Sequence, residues 1–177
     1  VYGKLTNAVV SFVPGTMDAV IKDATGSVLY HKKDHGLKQG QYYTGDITVD
    51  LIYYNGLYSD ITSIDFKFEG DGEVVNPEVL TLTQLTGNYT KYQNTYAKIE
   101  NIKVTNVSGK NITVSDGTNT YVVYTNYGDA TCAVEDKITA IGTITKYGTT
   151  EELKVWSADD ITVTEHTAAE HAINITQ

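Results

Sequence analysis

Fourteen tyrosines, against three phenylalanines and one tryptophan, are the residues of this 177-residue chain best suited to chemistry at a surface. A phenol ring offers an apolar face for stacking and a hydroxyl that prefers to stay wet, and small cores cannot hold so many rings wholly inside. Several stand beside lysines. Tyr30 is followed by His31, Lys32 and Lys33, Tyr53 and Tyr54 run into Asn55-Gly56, Tyr121 and Tyr124 share one apolar stretch, and Lys146 precedes Tyr147. Rings beside ammonium groups suit base stacking with phosphate contact. The same set suits a sugar face or a protein partner, and equally suits strands that use tyrosine only for packing.

The remaining ionisable residues are less well arranged. His31 and His35 have the four-residue spacing that aligns metal ligands on a helix, but Gly36 and the strand-like run into His31 oppose a helix there. His166 and His171 are five apart, which does not align them. Glu69, Asp71 and Glu73 alternate as a hard cation would want, yet the run is too short for a full calcium loop and lacks its distal bidentate acid. Glu151-Glu152 and Asp159-Asp160 read as exposed turn residues. No serine sits in a glycine-flanked nucleophile elbow, and no glycine-rich phosphate loop ends in Lys-Ser or Lys-Thr. These patterns predict no catalytic residues, no metal and no cofactor, and a binding protein rather than an enzyme. The single Cys132 has no disulfide partner within the chain and reads as a small buried hydrophobe.

Net charge bounds the partners. The formal charge is −9, and all 13 basic residues are lysines. An acidic surface without guanidinium groups opposes a polyanion unless its lysines gather on one face. No stretch reaches the roughly 20 apolar residues of a membrane helix. Val1 opens inside domain-like sequence without a signal peptide, and the Tyr, Thr, Asn, Asp and Gly content reads as that of an exported protein.

Short strands must position these side chains. Leu5 to Val13 ends at Pro14-Gly15; Met17 to Lys22 and Ser27 to His31 form a hairpin about Asp23-Ala24-Thr25-Gly26. Lys32 to Gly40 is a crossing loop. Tyr43 to Ile52 places Ile47, Val49 and Leu51 on one face with Asp46, Thr48 and Asp50 on the other. Tyr53-Tyr54-Asn55-Gly56 then turns the chain into Leu57 to Phe68, with Ile61 and Ile64 inward. The glycine-bearing, acidic Glu69 to Glu73 reads as a flexible break, and Asn76-Pro77 closes the first unit. Thr81 or Thr83 caps a short helix ended by Gly87-Asn88.

The order of strands then recurs: Tyr96 to Val107, Ile112 to Ser115, Thr120 to Thr125, Lys137 to Lys146, and a closing pair, Leu153 to Trp156 with Ile161 to Val163. Lys22 to Gly26 answers to Ser115-Asp116-Gly117, and Ser59 to Thr62 answers to Ala158 to Thr162, a repeat of roughly 95 residues. The fold expected is all-β, two tandem five-stranded Greek-key barrels with at most short helical turns. Residues 1–76 form the first domain; residues 77–177 form the second, with a short leading segment and a C-terminal tail from His166.

Gly26 to His35, Tyr54-Asn55-Gly56-Leu57 and Ser59-Asp60-Ile61-Thr62, with Ala97 to Val107, Val134 to Lys146 and Trp156 to Val163, resemble the OB-fold-like domains of secreted and lipid-anchored proteins of Gram-negative gut bacteria. The resemblance implies a ligand surface on strands two and three and the first and last hairpin loops. In the first unit that surface is Pro14 to Met17, Lys22, Tyr30, Lys32, Tyr53 and Tyr54; in the second it is Lys110, Asn111, Tyr121, Tyr124, Lys146 and Tyr147. The implied role is a non-catalytic binding or accessory protein of the cell envelope or the exterior, with a lipid anchor supplied ahead of Val1 as one route. Its partner is expected to be a glycan or a protein. The alternatives are single-stranded nucleic acid on the same faces, disfavoured by charge, and a structural spacer within a larger surface protein.

Overall fold

The computed structural model describes residues 1–54, 57–61 and 67–167, with the backbone alone for 54 and 57–60. Strands β1 (Tyr2–Thr6), β2 (Val9–Phe12), β3 (Asp18–Lys22), β4 (Ser27–His31), β5 (Asp46–Tyr54) and β6 (Leu57–Ile61) form one sheet in the order β1-β5-β6-β4-β3-β2. A second sheet holds β7 (Glu78–Val79), β8 (Tyr96–Ser108), β9 (Asn111–Ser115), β10 (Thr120–Thr125), β11 (Lys137–Tyr147), β12 (Thr150–Val155) and β13 (Ile161–Glu165). Two single-turn helices, α1 (Leu82–Leu85) and α2 (Tyr89–Tyr92), lie between β7 and β8.

The second sheet closes on itself. The 13-residue β8 pairs with β11 through its first half and with β9 through its second, and β12 joins β10 in parallel. The ring β8-β9-β10-β12-β11 is thus a five-stranded barrel, filled by alternating residues such as Ile99, Ile112, Val123, Ile138, Ile144 and Leu153. Where β8 passes from one partner to the other, Asn101 adopts φ 51 and its N–H reaches Thr139 Oγ1 at 3.1 Å. Asparagine tolerates this left-handed kink because its side chain is short and polar.

The first sheet repeats the pairing order: β4 and β6 are parallel, and β1 and β2 stand at its two ends. Asn7 and Ala8 alone separate those strands. Asn7 has φ 51, donates its N–H to the Gly45 carbonyl and accepts the Gly45 N–H on Oδ1, each at 2.9 Å. Ile47 and Val49 are buried in this core, with Leu51 packed against it, as the alternation predicts.

Four expectations are corrected. β12 alone completes the barrel; β13 pairs with β11 and continues along the same edge of that strand. The partner of β12 in the first sheet is therefore β6, so Ser59 to Ile61 does not correspond to Ala158 to Ile161, which form a 3₁₀ turn leading into β13. Strand β6 is described from Leu57 to Ile61; residues 62–66, Ile64 among them, lie outside the described residues, and Phe68 is buried in the core outside any strand. Glu69 to Val75 is strapped down, because Gln41 Nε2 donates to the Gly70 carbonyl at 3.1 Å and Gln39 Nε2 to the Val75 carbonyl at 3.2 Å. Helix α1 starts as its sequence requires, with Thr81 and Gln84 in a reciprocal capping box.

The halves touch. Phe12 stacks on Tyr96 with ring centroids 4.2 Å apart, and Lys22 pairs with Glu78 at 3.5 Å. Val20, on the β3 face opposite the first core, is fully buried as well. No helix among the described residues is long and apolar enough to cross a membrane.

Candidate functional site

A cleft of about 580 Å³ lies where the outer face of β3 and β4 meets the outer face of the barrel. Alternation builds its floor. Leu153 and Val155 of β12 point into the core, so Glu152, Lys154 and Trp156 point out. Register sets their neighbours: Lys154 lies between Tyr124 of β10 and Thr143 of β11, and Glu152 lies beside Thr145. Asn111, Asn126, Lys146 and Tyr147 rim the floor, and Tyr89 and Asn94 enter from the segment that precedes β8. The first half contributes Asp18, Leu29, His31 and Ile52.

The polar groups are held in place. Trp156 Nε1 donates to Thr143 Oγ1 at 3.0 Å, and Thr145 Oγ1 donates to Glu152 Oε1 at 3.2 Å. His31 Nδ1 donates to Asp18 Oδ1 at 2.6 Å. The Lys154 ammonium stands 4.2 Å from the Trp156 ring centroid, and that of Lys146 stands 5.6 Å from the Tyr89 centroid. Burial pushes the Glu152 carboxyl up, against the Thr145 hydrogen bond and the charge of Lys154. It also pushes the Lys154 ammonium down, against the charges of Asp18 and Glu152. Side chains so arranged can stack on a ring, donate and accept hydrogen bonds and meet an anion.

Of the residues singled out by sequence, Tyr124, Lys146 and Tyr147 line this cleft, and Asn111 with them. Tyr30 and Tyr121 are core residues, 5% and 4% exposed, because period two turns them inward beside Ile21 and Val123. Lys22 is held by Glu78 at the junction of the halves. Lys32 and Tyr53 are exposed away from the cleft lining, and the side chain of Tyr54 lies outside the described residues.

Glu152 is 7% exposed on a strand, which corrects its reading as a turn residue. Glu152, Lys154 and Trp156 have no place at the binding surface expected from sequence. Their signal was the alternation of a charged pair and the single tryptophan with Leu153 and Val155.

His31 and His35 do not converge. His35 Nδ1 accepts the Leu37 N–H while Nε2 faces the Gly15 and Asp18 carbonyls, so this ring fastens the crossing loop to β3. Cys132 is buried, and burial raises its thiol pKa.

No protein-family model and no curated protein matches the sequence. Among solved structures, one similar chain is a murine DNA-binding protein bound to double-stranded DNA, at 16% identity and a TM-score of 0.43, over 95% of this chain and 98% of that one. The Ifi202 HINa domain in complex with 20-base-pair DNA is 11% identical over 94% and 97%, with a TM-score of 0.39. The p204 HINb domain is 14% identical over 90% and 94%, with a TM-score of 0.38. Scores and identities this low carry nothing over to the present chain.

Proposed function

We propose that this chain is a non-catalytic binding module of two tandem OB-like barrels, and that the cleft between them takes a short single-stranded segment of nucleic acid. One observation carries the reading: the ammonium groups of Lys154 and Lys146 stand over the Trp156 and Tyr89 rings inside the cleft. A ligand that stacks on those rings must displace the ammonium groups and forfeit a cation–π contact of about 0.5–2 kcal/mol each. A phosphate linkage gives each displaced ammonium an anionic partner, whereas a neutral sugar offers only the weaker acceptors of its hydroxyl groups.

Glycan binding is the second reading, supported by the net charge of −9 and by the carboxylates Asp18 and Glu152 within the cleft. Residence in the bacterial cell envelope, through export, belongs to the proposal as well; the composition supports it.

Titration with labelled oligothymidylate at several salt concentrations tests the reading. Two lysine–phosphate contacts give a slope of log K on log salt near −1.4, and Trp156→Ala weakens binding by about tenfold with the fold retained. Salt-insensitive binding to a neutral oligosaccharide, with none to the oligonucleotide, selects the second reading. No binding to either leaves a spacer.

A further inference from the structure

The cleft floor holds a group that phosphate binding leaves unexplained. Glu152 is a carboxylate 7% exposed, and among the described residues the one hydrogen bond it accepts comes from Thr145, on Oε1. A buried carboxylate with acceptor capacity to spare is costly in the empty site and gains from a ligand bringing N–H donors. Lys154 follows two residues later on the same face, about 6.6 Å along the strand. Tyr124, directly opposite Lys154, supplies a ring beside both.

We propose that Glu152 and Lys154 read the Watson–Crick edge of guanine, the carboxylate accepting from N1–H and the 2-amino group while the ammonium donates to O6. Guanine alone among the bases presents two adjacent donors next to an acceptor. Adenine and cytosine offer one amino donor beside a ring acceptor that faces the carboxylate unfavourably, and thymine offers one N–H between two carbonyls. With the base over Tyr124, the lysine leaves Trp156, whose freed face receives the neighbouring base. When the bound base is guanine, the Lys154 ammonium thereby takes O6 in place of the phosphate it meets beside thymine, and the cleft acquires a preference for one base.

This inference rests on the nucleic-acid reading of the cleft, and the experiment separates the two. Binding of d(TGT), d(TIT), d(TAT), d(TCT) and d(TTT) is measured by calorimetry with the intact chain and with Glu152→Gln. The expected result is d(TGT) tighter than d(TAT), d(TCT) and d(TTT) by about tenfold, in line with one bidentate base contact. Inosine keeps N1–H and O6 but lacks the 2-amino group, so d(TIT) falls between. Glu152→Gln brings the trinucleotides to within about twofold of one another without abolishing binding. Equal affinities for all five, or a guanine preference unchanged in Glu152→Gln, overturns the inference and leaves the proposed function standing. Binding of none of the five overturns both. Because inosine alters the ligand and not the protein, the d(TIT) arm stands even if the variant fails to fold.

Discussion

The two halves share a pairing order and differ in what they do with it. In the second half one 13-residue strand, β8, carries both seams of the barrel, whereas in the first half the same path is split into β1 and β2 about Asn7. The second half supplies twelve of the residues that line the cleft and the first half four. The outer face of β3 and β4, which in an OB fold serves the ligand, is partly spent on the contact between the halves. Val20 is buried there and Lys22 is tied to Glu78. The first half walls the cleft, and the second supplies most of its charged and aromatic lining.

The sharpest way to break this comparison uses two glycines. A Cβ at Gly142 in β11 would stand 2.1 Å from the Lys154 carbonyl oxygen, and one at Gly40 would stand 2.2 Å from the Glu73 nitrogen. Both clashes are with backbone, which yields less readily than a side chain. Gly142 lies in the closed barrel, beneath the cleft floor, so Gly142→Ala should cost about 3 kcal/mol or more in urea unfolding and abolish ligand binding. Gly40 meets only the strap of Glu69 to Val75, and its φ of +83 adds strain to any replacement. Gly40→Ala should cost about 2 kcal/mol, seen first as faster hydrogen exchange at Glu73. Equal global losses for the two variants would mean that the strap holds the molecule as firmly as the barrel does.

How far the sequence announced this molecule follows the same division. Alternation at Ile47, Val49 and Leu51, the Asp23 and Asp116 turns and the Thr81 capping signal each report contacts within a few residues or one strand pair, and all were readable. The cleft was not. Thr143, Thr145, Glu152 and Lys154 occupy the solvent-side positions of their strands, and alternation marks them only as outward-facing. What covers them is the other half of the chain, and no local pattern encodes that docking. Tyr30 and Tyr121 failed for the opposite reason: composition said that some rings must lie outside, but only strand register says which. The repeat expected from sequence does not hold at Ser59 to Ile61, because the chain after β12 adds a 3₁₀ turn and β13, which carry their own Asp-Ile-Thr.

A middle-sized effect separates the two equivalent turns. Asp23 is 7% exposed; it accepts from the Thr25 N–H at 2.7 Å, the Thr25 hydroxyl at 2.6 Å and, across the sheet, the Thr6 N–H at 3.0 Å. Asp116 is exposed and serves only its own turn, through the Thr118 and Asn119 N–H groups and the Asn119 amide. Burial alone would raise the Asp23 pKa, but the bonds from Thr25, Thr6 and Gly26 outweigh it and hold the group below its usual value of 3.8. A depressed carboxyl stabilises the fold above its unfolded pKa, and that contribution is lost as pH falls through the folded pKa. Asp23→Asn should therefore cost about 1–2 kcal/mol at pH 7 and flatten the decline in stability below about pH 4. Asp116→Asn should cost less than Asp23→Asn at neutral pH. Equal losses would show that the Thr6 contact adds nothing to the first half.

The smallest effect compares the two buried tyrosines. The Tyr121 hydroxyl is buried without a hydrogen-bond partner among the described residues, and burial, with Glu151 and Glu152 nearby, drives its pKa upward. The Tyr30 hydroxyl is not cut off in this way. An orphaned hydroxyl costs its desolvation and returns nothing, so Tyr121→Phe should leave stability unchanged or raise it by up to about 1 kcal/mol. Tyr30→Phe should do neither, losing a few tenths of a kcal/mol. The sign of the difference is what matters, because the Tyr121 hydroxyl lies near Glu152, the carboxylate to which base reading is assigned. If Tyr121→Phe instead destabilises the protein and weakens d(TGT) binding together, the hydroxyl is engaged beneath the cleft floor. It would then belong with Thr145 among the groups that set the Glu152 carboxylate in place.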